Sequence, residues 1–306
     1  MENELFDIPI QARLCYEKNK GLILPDKVPY IGMGSSYFAA VTLRYLGVKI
    51  FPELAGEYFH YLRETKQFDH AVLISQSGRT TDVLNCASIL REYTAIVNDT
   101  ESPLVNQPNS KLVVPVYAGR ERFSSTKTFL NTLIALYLGH GFDVKNVLDS
   151  IERRFSEFQL TGNSIGSEIS KSIRKQKAKC VILGSGPNVG IAYQAALLLS
   201  ESLKYPFVGM SLTQYEHGYK ETAENAVVIV INPSKGVLYE RTNRLMDVLR
   251  NVNAKVFEIN ESEFAEIYSP ITSILPFCFM AGFLSENLGI TEPFQVGNKI
   301  TEWLDE

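Results

Sequence analysis

Tryptophan occurs once, and histidine and cysteine four times each, in 306 residues. These scarcities narrow the chemistry open to the chain. The cysteines, Cys15, Cys86, Cys180 and Cys278, are scattered, sit in apolar patterns and form no C-x-x-C pair, so neither a zinc site nor a disulfide framework is expected. They read as reduced core thiols of a cytoplasmic protein. No uninterrupted apolar run reaches the ~18 residues of a membrane span. The chain opens Met1-Glu2-Asn3-Glu4, acidic where a signal peptide would be basic, so neither export nor membrane insertion is expected. An excess of positive charge is also missing: 30 Lys and Arg stand against 34 Asp and Glu, a formal net charge of −4. Neither nucleic acid nor an anionic membrane would be drawn to such a surface, although a local site could still hold one phosphate.

Hydrophobic residues make up 45% of the chain and charged ones 21%, an ordinary globular balance. The length exceeds the ~250–300 residues at which a single core usually stops growing, which predicts two packed units, 1–150 and 151–306. Strand-like runs near 28–32, 70–75, 94–98 and 112–116 alternate with helical periodicity near 36–46, 80–92 and 125–139. The second half has strands at 181–183, 227–232 and 255–259, with helices near 188–204, 239–251 and 271–288. This is the α/β pattern of a parallel sheet covered by helices. The segment 140–175, with charge clusters such as Glu152-Arg153-Arg154, is expected to be the helical connection.

The halves read as copies of one another. Gly32-Met33-Gly34 and Gly184-Ser185-Gly186 lie 152 positions apart (184 − 32), each closing a strand and opening a helix. A second pair of turns follows Ile74 and Ile231. In the first half that turn is Ser75-Gln76-Ser77-Gly78-Arg79-Thr80. A strand running into a hydroxyl-rich turn that opens a helix offers O–H donors, backbone N–H groups and the positive end of the helix dipole at one point, which suits a phosphate. The second half carries Pro187 and Pro233 in its two turns, so the copies have diverged where chemistry would sit. Gly32-Met33-Gly34-Ser35-Ser36-Tyr37, with Glu53 further on, has two of the three glycines of the dinucleotide fingerprint. The third is missing, and a dinucleotide site leaves the serine-rich second turn unexplained.

Gly34-Ser35-Ser36-Tyr37, Ser75 through Thr80, and Ser124-Ser125-Thr126-Lys127 together resemble the three sugar-phosphate loops of the sugar isomerase (SIS) domain. The whole chain resembles a tandem pair of such domains, the isomerase half of the glucosamine-6-phosphate synthase family and of related deaminases. The resemblance implies two flavodoxin-like αβα sandwiches and a homodimer with active sites near its interface. It places Ser35, Ser36, Ser75, Gln76, Ser77 and Thr80 on the phosphate and nearby sugar hydroxyls, with Ser124 and Ser125 following the same pattern and Lys127 supporting its turn. Small neutral donors suit a site that grips a dianion by many hydrogen bonds. Taken singly, Ser36, Ser77 or Thr80 could equally be helix N-caps.

For chemistry, the synthase-type motif has a glutamate followed sixteen positions later by a histidine before glycine. Here Glu201 and His217-Gly218 have that separation (217 − 201). Helix pattern alone leaves Glu201 either on a polar stripe or partly desolvated as a base; the resemblance makes it the base. His217 would pass protons during ring opening, reaching the site of the partner subunit. Lys299, in the tail Pro293 to Thr301, would open the sugar through an imine or polarise its carbonyl. No metal or organic cofactor is called for. The sequence departs from the pattern at Leu198, where the synthase-type helix has a lysine, and at Arg79, where the loop is often acidic. Its tail is one residue longer between proline and lysine and runs on through Trp303-Leu304-Asp305-Glu306.

The expected activity is aldose–ketose isomerisation of a hexose 6-phosphate, or deamination of an amino-sugar 6-phosphate of the glucosamine 6-phosphate type. No glutaminase half is expected, since the chain opens Met1-Glu2 without that domain's N-terminal cysteine. Two alternatives stand beside this: a non-catalytic sugar-phosphate-binding regulator, and a subunit receiving ammonia from a separate glutaminase.

Overall fold

The computed structural model describes residues 2–65, 68–176, 178–292, 294–296 and 300–302. The chain divides into two compact units, one of 7–121, 127–144 and 294–306, the other of 1–6, 122–126 and 145–293.

The first unit is built on five parallel strands, β1 (Pro29–Gly32), β2 (Phe51–Leu54), β3 (His70–Ile74), β4 (Glu92–Val97) and β5 (Ser110–Pro115), in the order β2-β1-β3-β4-β5. The central strands are apolar runs buried on both faces, as a helix-covered parallel sheet requires. One face carries the helix Thr81–Ile89, whose Val83, Cys86 and Ala87 join Ile31, Ala71, Leu73, Tyr93 and Ala95 in one core. The helices Ile8–Lys18 and Ser35–Tyr45 both pack against Lys127–Gly139, a helix buried almost all round.

The second unit has four parallel strands, β6 (Cys180–Gly184), β7 (Phe207–Ser211), β8 (Val227–Ile231) and β9 (Lys255–Ile259), in the order β7-β6-β8-β9. The helix Tyr239–Asn251 sets Leu245, Met246 and Leu249 against Val181, Leu183, Val228 and Val230. The 32-residue helix Lys145–Gln176 packs with Leu275–Asn287, which also meets Asn188–Leu203. The stretch 266–287 is long and apolar enough to cross a bilayer, but 83% of its most apolar window is buried within the protein, which makes it core.

Both sheets follow one winding pattern, in which the chain goes outward to one neighbour and then returns to the other side of the first strand. The fold is two tandem flavodoxin-like α/β sandwiches, and Gly32 and Gly184 end the first strand of each. Sequence periodicity misses β2 and β7. Both are edge strands, the first with Pro52 and an exposed Phe51, the second with Gly209 and a half-exposed Val208. An edge strand needs neither a continuous apolar run nor every N–H, so its composition resembles a loop. All four cysteines are free and buried, and burial pushes the thiols of Cys15, Cys86 and Cys180 up to about 12. They stay protonated and unreactive at neutral pH.

Candidate functional site

The strand order of the first unit creates a crevice. After β1 the chain moves to β2 on one side and later to β3 on the other, so the turns following β1 and β3 leave the same carboxyl edge side by side. The first turn is Met33-Gly34, after which the helix starts at Ser35. The second is Ser75 through Thr80, after which the helix starts at Thr81. Ser75, Gln76, Ser77 and Thr80 thereby lie on the second turn, and Ser35 and Ser36 open the helix that follows the adjoining first turn.

Their side chains differ in what they already do. The Ser75 hydroxyl, on a residue only 3% exposed, accepts the Gly78 N–H at 3.1 Å and lies 3.2 Å from the Thr80 hydroxyl. The Ser77 hydroxyl accepts the Arg79 N–H at 3.2 Å. Ser35, Ser36 and Gln76 are half-buried, and their side chains have no hydrogen-bond partner among the described residues. The N-cap reading fails for Ser36, since Gly34 occupies the N-cap of the first helix; Thr80 does stand at the N-cap of the second but makes no capping bond with its side chain. Hydroxyls spent neither on caps nor on the core remain available to a ligand.

The turn is held from outside. The Gln76 carbonyl accepts the N–H groups of Asn98 (3.1 Å) and Asp99 (3.3 Å), and the Gly78 carbonyl accepts that of Leu104. Arg79 reaches the Asp99 carboxylate at 2.5 Å and the Ser77 carbonyl at 2.9 Å. The guanidinium beside Asp99 holds that carboxyl below the usual range. Arg79 is therefore a brace of the loop, which accounts for a basic residue where the family pattern is often acidic.

Glu201, His217, Ser124 and Ser125 belong to the second unit, and Lys127 to the first. Glu201 stands in the last turn of the helix Asn188–Leu203, half-buried, with its backbone carbonyl accepting the Lys204 ammonium at 2.7 Å. Leu198 is fully buried, so a lysine there would put a charge into the core. Ser124, 4% exposed, lies with its hydroxyl 3.3 Å from that of Ser202, and the Ser125 carbonyl accepts the Gln194 amide at 2.9 Å. These two serines pin the segment 122–126 to the helix that carries Glu201. Lys127, 2% exposed, donates its ammonium to the Arg120 carbonyl at 3.0 Å with Asp7 at 3.7 Å, while its backbone N–H goes to Glu121, so it supports its turn. Lys299 lies outside the described residues.

His217 is exposed and directly follows the helix Leu212–Glu216, whose N-cap Ser211 accepts the Gln214 N–H at 3.2 Å. It lines an open cleft with Glu216, Lys220, Arg241, Arg244, Leu245 and Val248. Arg241 forms an ion pair with Glu216. Sequence reasoning missed these arginines; their signal is the three-residue spacing of Arg241 and Arg244 along Tyr239–Asn251, which puts both on one helix face.

No protein-family model matches the chain. A glutamine–fructose-6-phosphate aminotransferase (isomerizing) of Wigglesworthia glossinidia brevipalpis is 21% identical over 332 aligned residues, covering 95% of this chain and 54% of that protein. The chain spans about half the length of the curated relatives it matches. Among solved structures, the C-terminal domain of a glucosamine-fructose-6-phosphate aminotransferase from Francisella tularensis superposes with a TM-score of 0.76 at 19% identity, over 94% of this chain and 95% of that one. A glucosamine-6-phosphate deaminase from Thermotoga maritima gives 0.72 at 21% identity, over 95% and 96%. The chain thus shares the double SIS-domain fold and resembles the isomerase half of these aminotransferases.

Proposed function

We propose that the chain is a sugar-phosphate isomerase or deaminase, acting on a hexose 6-phosphate or an amino-sugar 6-phosphate. The observation that carries this reading is the pair of turns at the β1/β3 crevice, where Ser35, Ser36 and Gln76 offer unspent hydrogen-bonding groups beside Ser75, Ser77 and Thr80. Such a set accepts a phosphate dianion without a buried counter-charge.

In this proposal the phosphate anchors the sugar, and its binding energy positions C1 and C2 against the base, an effect within the ~7–11 kcal/mol available from orientation. His217 assists ring opening by moving the proton of the ring oxygen. Lys299 forms an imine with, or polarises, the ketone carbonyl. Glu201 takes the proton from C2 and returns it at C1, converting aldose to ketose. With a 2-amino sugar phosphate the same transfer gives an imine at C2, and water then replaces nitrogen, yielding the ketose phosphate and ammonia. The two relatives with solved structures, named an aminotransferase and a deaminase, support the amino-sugar form. A homodimer and a cytoplasmic location belong to the same proposal, while a subunit that receives ammonia from a separate glutaminase, running the amino-sugar reaction toward synthesis, is the alternative to it.

One observation favours a second reading, binding without turnover: Leu198 fills with core the position where the synthase-type helix has a lysine. The deciding experiment incubates the protein with glucosamine 6-phosphate, and with fructose 6-phosphate plus ammonium, and assays ammonia and hexose phosphates. Turnover of either supports the enzyme. Binding of both without turnover leaves the regulator.

A further inference from the structure

The second unit repeats the crevice and fills it. Gly34 and Gly186, 152 positions apart, have nearly the same left-handed backbone, φ 52° and 51°. The β7-β6-β8-β9 order puts the turns after β6 and β8 side by side, just as after β1 and β3. Between these turns lies the carboxylate of Glu266. A Cβ placed on Gly186 would be 3.5 Å from its Oε1, and one on Gly236 would be 3.2 Å from the same atom. The other oxygen, Oε2, accepts the Val237 N–H at 3.0 Å, just ahead of the helix Tyr239–Asn251.

Three further donors of the β8 turn are taken by the same strap, the segment 260–266 that follows β9, while the Gly236 N–H donates within the turn to the Pro233 carbonyl at 2.8 Å. The Ser234 N–H goes to the Glu261 carbonyl at 2.9 Å and the Ser234 hydroxyl to Asn260 at 2.8 Å, while the Lys235 ammonium goes to the Glu263 carbonyl at 2.6 Å. Asn188, at the position matching Ser36, is fully buried and donates its amide to the Ser269 hydroxyl at 2.8 Å. That hydroxyl donates in turn to the Glu266 carbonyl at 2.7 Å. Where the side chains of Ser36 and Gln76 in the first unit have no hydrogen-bond partner among the described residues, Asn188, Ser234 and Lys235 in the second unit hold a strap that ends in a carboxylate. The strap itself is anchored, since the Glu261 carboxylate, 2% exposed, pairs with Arg154 at 3.0 Å and accepts the Glu263 N–H at 2.7 Å.

We propose that Glu266 is the resident anion of the second crevice: its carboxylate occupies the place a phosphate would take, and removing it uncovers a latent phosphate site. Divergence of the two halves then has a physical meaning, because one crevice is kept open for an external anion and the other is closed by an internal one. This goes beyond the proposed function and does not depend on it.

Inorganic phosphate is the probe, titrated into the full chain with binding stoichiometry followed by calorimetry and the amide signals of Gly186, Gly236 and Val237 by NMR. In the unsubstituted protein these three amides stay unmoved by phosphate; a saturable shift there overturns the proposal. In Glu266→Ala and Glu266→Ser the same amides shift saturably, roughly tenfold or more tighter than any wild-type response, and one further phosphate binds per chain. Glu266 is half-exposed in a short 3₁₀ turn, so its truncation leaves no core cavity. A variant with a wild-type unfolding midpoint but no added phosphate response overturns the proposal. The first crevice is read separately through the amides of Ser36, Gln76 and Thr80, so failure there counts against the proposed function alone.

Discussion

Ser75 and Thr80 close the phosphate-type turn on itself, their hydroxyl oxygens 3.2 Å apart at the two ends of the six residues that separate strand from helix. Ser75 has a second duty, accepting the buried Gly78 N–H, whereas Thr80 makes no capping bond. The two substitutions therefore separate loop integrity from ligand contact. Thr80→Val keeps the shape and should weaken sugar-phosphate binding about tenfold, the worth of one charge-assisted hydrogen bond, with little change in the unfolding midpoint. Ser75→Ala should lose both affinity and about 1–2 kcal/mol of stability, because the Gly78 N–H is left without its acceptor. Calorimetric titration with glucosamine 6-phosphate and urea unfolding read the two effects. Unchanged affinity in both variants would remove this turn from the site.

Gly78 shows how tightly the loop is built. Its φ is +61°, and a Cβ there would stand 2.1 Å from the Ser102 hydroxyl oxygen and 2.5 Å from the Ser102 Cβ. Ser102 is fully buried and cannot swing out to solvent. Gly78→Ala thus combines left-handed strain with a steric conflict and should cost about 1–3 kcal/mol or more. Adding Ser102→Gly removes the conflict but not the strain, so the double variant should recover part of the loss. Equal instability of single and double variants would show that backbone strain alone governs the position.

How much of this was legible beforehand follows from which groups carry the signal. The central strands are continuous apolar runs, and the glycine pairs 152 residues apart mark both crevices, so the α/β class and the doubling can be read directly. The edge strands β2 and β7 cannot, since Pro52 and Gly209 write loop chemistry into them. At the site, the clustering of Ser75 through Thr80 is a local pattern and visible. What each hydroxyl does is not, because the partners lie far along the chain: Asp99 braces Arg79, and Ser202 meets Ser124. Glu266 escaped notice for the same reason, being 80 residues from the glycine turn it fills (266 − 186).

His140 is a pH-sensitive member of the first unit. Its side chain is 6% exposed, its Nε2 lies 2.8 Å from the Tyr30 hydroxyl, and its Nδ1 lies 3.2 Å from the Asp26 carboxylate. Burial lowers its pKa below 6.5, and the exposed Asp26 offsets this only partly. The unfolded chain therefore binds a proton on this histidine more readily than the folded one does. Stability falls as pH drops below 6.5 and levels off once the folded-state group is also protonated. Urea unfolding at pH 7.5 and pH 5.5 should show a smaller acid loss in His140→Gln than in wild type. An identical loss would mean that other groups carry the acid sensitivity.

Arg241 pairs with Glu216, the residue before His217, and both line the cleft that His217 faces. The pair joins the helix Tyr239–Asn251 to the end of Leu212–Glu216, at the residue next to the one that carries the imidazole. Arg241→Met keeps the side chain's bulk and removes the charge. Since the pair is partly exposed, its contribution to stability is small. If His217 moves a proton in the reaction, turnover should fall several-fold in Arg241→Met with KM little changed, and Arg241→Lys should restore part of it. Removing the acid outright is the stricter test: Glu201→Gln should lower kcat about 10²–10⁴-fold, the usual worth of a positioned general base, with sugar-phosphate affinity retained. A Glu201→Gln enzyme that turns over at the wild-type rate would assign the proton transfer to another group and leave Glu201 as a helix-surface carboxylate.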